Sequence, residues 1–173
     1  MAGNLILVET KTPSAVANID FTSIAESTYD VHLLTWVLSN STDGAVMAMR
    51  FFESTVIETA GVYHHVFHSH NEADGWEEQK SATRTHIGIN KSIGSATDEI
   101  GQGYIWIYNA GNSSEYTTAN HQTAAIHTDH SMSMSYGGGI LKQASTVDGI
   151  RIYDTASGGN STGTVSLYGL GES

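Results

Sequence analysis

The chain has 173 residues, no cysteine, and 18 acidic side chains against 7 basic ones, a net charge of −11. Its length suits a single domain, residues 1–173, that buries roughly 70% of its unfolded surface without covalent staples. The charge argues against nucleic-acid binding by phosphate neutralisation, and the lack of cysteine excludes disulfides, thiolate metal sites and thiol nucleophiles. No apolar run approaches the roughly 20 residues of a membrane helix. Leu5 to Val8 is a short apolar run with no basic region before it, unlike a signal peptide. The expectation is a soluble protein made in a cytoplasm, with no membrane partner.

In chain order, alternation predicts strands at Leu5–Thr10 and Val16–Phe21, the second with Ala17, Ile19 and Phe21 on one face. Pro13 lies between them, where a missing N–H does no harm. Tyr29–Leu38 follows, with Val31, Leu33 and Val37 on one face and His32, Leu34, Trp36 and Leu38 on the other. Apolar residues on both faces call for cover on both. After the turn Asn40-Ser41-Thr42-Asp43-Gly44, strands are predicted at Val46–Glu53, Gly61–Ser69, Ala82–Ile89, Gly103–Asn109 and Ala125–Met134. Asn71–Lys80 and Asn109–Asn120 read as long polar loops, and Ser95–Glu99 as a weak helical turn. The last two strands, Gly149–Tyr153 and Gly163–Tyr168, flank a loop of Gly, Ser, Asn and Thr and read as a closing antiparallel hairpin. The whole predicts an all-β fold, an antiparallel β-sandwich of jelly-roll type.

Several segments carry a resemblance. They are Gly3-Asn4-Leu5-Ile6-Leu7-Val8, Ala17-Asn18-Ile19-Asp20-Phe21-Thr22-Ser23-Ile24 and Thr28-Tyr29-Asp30-Val31. Further on come Met47-Ala48-Met49-Arg50-Phe51, Gly103-Tyr104-Ile105-Trp106-Ile107-Tyr108-Asn109, Gly149-Ile150-Arg151-Ile152 and Ser161 to Leu170. Together they resemble small β-sandwich virion proteins of tailed, mostly aquatic, bacteriophages, of the capsid decoration (cement) or tail-fibre module type. The resemblance implies a structural protein of the virion, not an enzyme, assembled in the host cytoplasm. It would bind the major capsid protein or another virion protein. The alternative it implies is a fibre module that holds a host surface glycan. The histidine-rich middle departs from the family pattern.

Histidine is the residue type best placed to carry chemistry. On a strand, His64, Val66, His68 and His70 share one face and His65 and Phe67 the other. Alternate imidazoles can ligate zinc, nickel or iron, and His68/His70 resembles the His-x-His iron-binding repeats of some phage fibre tips. The three-residue motif occurs once, so His64, His68 and His70 are weak metal candidates and no metal or other cofactor is expected. His127, Asp129 and His130, read on a strand, do not converge without a bulge. His32 and His86 read as ordinary hydrogen-bonded strand histidines. No nucleophile elbow, HExxH, P-loop or GxGxxG is present, so no catalytic residue is assigned. Asp74, Glu77, Glu78, Asp98 and Glu99 read as solvated loop carboxylates rather than a glycosidase pair or calcium site.

The aromatic residues suggest a surface instead. If Ile105 and Ile107 fill the core, Tyr104, Trp106 and Tyr108 form an outward stripe, and such a stripe marks an interface. Trp76 is a further contact candidate. Arg50 and Arg151 sit inside apolar alternations and should be structural, each paired with a carboxylate such as Asp20 or Asp30, or with backbone carbonyls. The two-faced strands, together with the resemblance, predict a homo-oligomer, a trimer.

Overall fold

The computed structural model describes residues 3–72, 75–156 and 158–171. Every regular element among them is a strand. In chain order these are β1 (Asn4–Lys11), β2 (Asn18–Phe21), β3 (Val31–Asn40), β4 (Met47–Glu53), β5 (Val56–Ile57), β6 (Tyr63–Asn71) and β7 (Gly75–Arg84). They continue with β8 (Ile87–Gly88), β9 (Gly101–Tyr108), β10 (Tyr116–Ile126), β11 (Met132–Ala144), β12 (Gly149–Asp154) and β13 (Ser161–Gly171). The fold is all-β, with two antiparallel sheets. The large sheet runs β1-β13-β3-β9-β10-β11-β6-β7, and the small one runs β2-β12-β4-β5, with β8 also paired to β4.

Period-two alternation builds the core. Leu34, Trp36 and Leu38 of β3, Ile105 and Ile107 of β9, and Val165 and Leu167 of β13 face inward from the large sheet. Ile19 and Phe21 of β2, Met49 and Phe51 of β4, and Ile150 and Ile152 of β12 meet them from the small sheet in one cluster. Each such side chain contributes about 1.5 to 3 kcal/mol by leaving water. Past the reach of the small sheet, the segment from Ile89 to Glu99 covers the inner face. Ile89 and Ile93 are fully buried there, and Thr123 of β10 donates its hydroxyl to the Ile89 carbonyl at 3.0 Å.

The structure corrects the sequence reading in several places. The last two strands do not form a hairpin: β12 pairs with β2 and β4, whereas β13 pairs with β1 and β3 in the other sheet. Their shared apolar faces reflect one core approached from opposite sides. The predicted loop Asn71–Lys80 is mostly β7, hairpinned to β6. Its residues alternate polar with polar, because it is an edge strand, so apolar alternation is silent. The predicted strand Ala82–Ile89 is split between the end of β7 and β8. The predicted loop Asn109–Asn120 contains the start of β10, a strand of small polar residues.

The predicted strand Ala125–Met134 is in fact a reversal between β10 and β11. There Asp129 accepts the Ser131 N–H at 3.0 Å and the Ser131 hydroxyl at 2.5 Å, and His130 takes a left-handed φ of 62°. These bonds hold the Asp129 carboxyl down to about 2. The predicted helical turn at Ser95–Glu99 is a single turn, closed by the Glu99 N–H to the Ala96 carbonyl at 3.0 Å. Glu99 is not solvated. It is 2% exposed, accepts the Ala96 N–H at 2.7 Å and lies 3.2 Å from His130. Glu77 and Glu78 stand on β7 rather than in a loop, and Asp74 lies outside the described residues.

Candidate binding face of the large sheet

The small sheet covers one face of the large sheet and leaves the other open. Residues directly opposite in an antiparallel ladder share a face, so the pairings lay that outer face out in rows. One row runs Leu7, Tyr168, Leu33, Trp106, Asn120, Gly138, Val66, Lys80 across all eight strands. The next runs from Ser166 and Thr35 through Tyr104, Gln122, Tyr136 and His68 to Glu78.

The face has two halves. On β1, β13, β3 and β9 it is apolar and aromatic: Leu5 is 48% and Leu7 55% exposed, with Leu33, Trp106 and Tyr168 half-buried beside them. The stripe of Tyr104, Trp106 and Tyr108 lies here, opposite buried Ile105 and Ile107. It is tied down by amides: the Tyr104 hydroxyl donates to Gln122 Oε1 at 2.9 Å, and Asn120 Nδ2 donates to the Tyr108 oxygen at 3.5 Å. Trp76 is not part of this stripe. It is exposed on β7 at the far edge of the sheet and packs edge-on against His70 and Tyr136, ring centroids 4.9 and 6.4 Å apart.

The second half, on β10, β11, β6 and β7, is polar. His64, His68 and His70 share the outer face, as the alternation requires. Their rings are spaced along the strand: His68 stacks on Tyr136 at 5.7 Å and His70 meets Trp76. Among the described residues no group of three or more His, Asp or Glu side chains is arranged to hold a metal. Between these strands the surface sinks into a trough of about 640 Å³, lined by residues including His64, Val66, Lys80, Asn120 and Gly138. Sequence reasoning missed this trough. Its one sequence signal is Gly137-Gly138-Gly139 inside an otherwise alternating run, since glycine in a strand interior marks a close backbone approach. A Cβ at Gly138 would stand 2.3 Å from the Ala119 carbonyl oxygen.

Beneath this half, on the core side, lie His65 and His121, 5% and 4% exposed. His65 Nδ1 accepts the Gly88 N–H at 3.0 Å. Burial lowers the affinity of both rings for a proton, and His121 falls to about 4. His86, whose ring lies 6.5 Å from His65, is also lowered to about 4, by burial and then by Arg84 and Arg50.

The two arginines stand directly opposite each other on the outer face of the small sheet. Arg151 makes a fork to Asp20, Nε and Nη2 each 2.7 Å from a carboxylate oxygen. Arg50 donates Nε to the Thr85 carbonyl at 2.8 Å and lies over the Tyr153 ring at 4.7 Å. Asp30 pairs with neither. Its backbone carbonyl accepts the Asn109 N–H at 3.0 Å. Arg151→Met is expected to cost about 1 to 2 kcal/mol in urea unfolding. That exceeds an exposed pair, because the fork is bidentate and part-buried. It falls short of breaking a fully buried pair, because Asp20 is 30% exposed and water takes over its bonds. An unchanged midpoint and slope would remove the structural role.

The chain matches no protein-family model, and a search of curated proteins finds no significant match.

Proposed function

We propose that the chain is a structural protein of a bacteriophage virion that decorates or cements the shell through the apolar half of its outer face. One observation carries this reading. Leu5, Leu7, Leu33, Trp106, Tyr168 and Leu170 form a continuous uncharged patch on four adjacent strands of a chain with net charge −11. Patches of this kind on a soluble protein are interaction surfaces. The free edge of β1 borders the patch. The opposite edge, β7, is guarded by charge, with Lys80–Glu78 at 2.5 Å and Lys91 paired to Glu77; on β1 the Lys11–Glu9 pair guards one end, while the stretch from Asn4 to Val8 beside the patch is uncharged and leaves that part of the edge unprotected.

The strand order supports the jelly-roll type. A jelly roll is a long antiparallel hairpin wrapped into two sheets, so strands pair from the two ends inward. Here β1 lies beside β13, β2 beside β12, β3 beside β9 and β4 beside β5. On this reading the hairpins β6-β7 and β10-β11 are two insertions, before and after β9, that together widen the large sheet and create its polar half.

Binding an assembled shell across subunit boundaries stabilises it by mass action. Three copies about a local threefold would cover the patch symmetrically. The test is co-sedimentation with phage shells assembled without this chain. Binding is expected, and Leu5→Lys or Leu7→Lys, both at exposed positions, should weaken it at least tenfold without altering the melting temperature. Light scattering of the free and shell-bound protein reads the copy number. Failure to co-sediment, with the protein found at fibre ends in virion images, would overturn the shell assignment.

A further inference from the structure

The polar half of the outer face has a chemistry the shell-binding reading does not use. In its trough, Asn120, Gly138, Val66 and Lys80 form one row, and Thr118, Ile140 and His64 stand in the row beside it. Val66 is 50% exposed, and with Ile140 and Ala82 it gives the trough a carbon-rich lining. Gly138, which has no side chain, lies between Tyr136 and Ile140 along β11 and makes the dip.

The charges are ordered. Among the described residues no carboxylate lines the trough, although acidic residues outnumber basic ones 18 to 7 in the chain. Lys80 and His64 line it, and Lys142 follows Ile140 on the same face of β11. Lys80 is paired with Glu78, but the lysine side chain is 76% exposed, and an ion pair so solvated exchanges partners at little cost.

We propose that this trough binds an acidic saccharide, a short run of uronate residues. The carbon-rich lining takes the C–H face of a pyranose. The amide of Asn120 and the hydroxyl of Thr118 answer the ring hydroxyls, and Lys80 with His64 takes the carboxylate. The volume of about 640 Å³ suits two or three sugar rings and lies within the roughly 300 to 1,000 Å³ of small-ligand sites. Other anions fit less well. A peptide strand needs a free sheet edge, and the floor of the trough, Asn120, Gly138 and Val66, lies on β10, β11 and β6, which are paired on both sides; its rim alone reaches the edge strand β7. Nucleic acid requires several neutralised phosphates, and among the described residues Lys80 is the one lysine or arginine that lines the trough.

Isothermal titration calorimetry of the full chain with a mannuronate hexamer tests the site. Binding with a Kd below about 1 mM is expected, with cellohexaose at least tenfold weaker and polyglutamate of matched charge showing no saturable binding. Val66→Glu places a carboxylate in the trough at an exposed position. It and Lys80→Ala should each weaken the hexamer at least tenfold while leaving the melting temperature unchanged. Leu7→Lys, on the apolar half, should leave hexamer binding intact, which separates this site from the shell-binding patch. Absence of hexamer binding, polyglutamate binding as tight, or full affinity in Val66→Glu would each overturn the proposal.

Discussion

Between pH 7 and pH 4 the protein is expected to lose several kcal/mol of stability, with His121 alone responsible for about 3 of them. Its ring is 4% exposed, packs edge-on against Phe67 at 5.8 Å, and makes no hydrogen bond of good geometry through either nitrogen. Burial, and after it neighbouring His65, lowers its pKa from 6.5 to about 4, the Gly88 backbone offsetting only part. The unfolded chain therefore binds the proton more tightly than the folded one. The contribution is complete above about pH 6.5 and is lost as pH falls towards the folded value. At 1.36 kcal/mol per unit, the loss at pH 4 is about 3 kcal/mol.

His86 falls to about 4 in the same way, while His65 and His32 are lowered by burial in the same direction. Glu53 and Asp154 act against this trend, because burial raises them and protonation relieves them. His121→Leu removes the most deeply buried of these strongly lowered titrations while keeping the volume. Urea unfolding at pH 7 and pH 4 should show the His121→Leu variant losing about 3 kcal/mol less than the parent between the two. Equal losses in both proteins would show that His121 is not the source.

These histidines also show where the sequence is legible. The alternation groups the faces of this strand correctly, with His64, Val66, His68 and His70 on one and His65 and Phe67 on the other, because period two alone decides which residues share a face; residue type does not mark which face is inward, since His65, Ser69 and Asn71 are buried and Val66 is exposed. The same logic places Ile105 and Ile107 in the core and Tyr104, Trp106 and Tyr108 outside it. It fails where the pattern is polar throughout. In β7 both sides of the strand carry Glu, Gln, Lys and Ser, so nothing in apolar spacing distinguishes strand from loop. In β10 the inward residues include Thr117, His121 and Thr123, buried but polar, and Thr123 is satisfied only by the backbone of the segment that lies over it.

The trough was hidden for a related reason. Its walls come from two hairpins, β6-β7 and β10-β11, that lie far apart in the chain. Only the ladder β7-β6-β11-β10 brings Lys80, Val66, Gly138 and Asn120 side by side. The false hairpin at the C-terminus is the opposite error. Two segments adjacent in sequence carry hairpin composition, yet each finds better partners far away, β12 against β4 and β13 against β3. Local propensity does not register that competition.

Replacing Phe51 by Ala is expected to cost about 3 to 5 kcal/mol, the range for deleting a large buried aromatic ring, out of a total stability on the order of 5 to 15 kcal/mol. Phe51 is fully buried on β4, and its ring stacks at 6.2 Å on that of Tyr63, which belongs to β6 in the other sheet. The pair is a bolt between the two layers. The Phe51 N–H donates to the Tyr63 hydroxyl at 3.0 Å, and that hydroxyl donates onward to the Glu58 carbonyl at 3.3 Å. Tyr63→Phe keeps the stack and removes the hydroxyl, leaving a buried N–H without its partner, for about 1 to 3 kcal/mol. The two losses share one contact, so the double variant should cost measurably less than the sum of the singles. Urea unfolding of all three proteins reads these values, and a Phe51→Ala cost below about 1 kcal/mol, far under the range for such a deletion, would mean the layers are held elsewhere. The bolt lies on the inner face, behind the trough and the apolar patch. Below its lowered melting temperature, Phe51→Ala should therefore retain both shell and saccharide binding. A loss of either would mean that the small sheet sets the shape of the outer face as well as supporting it.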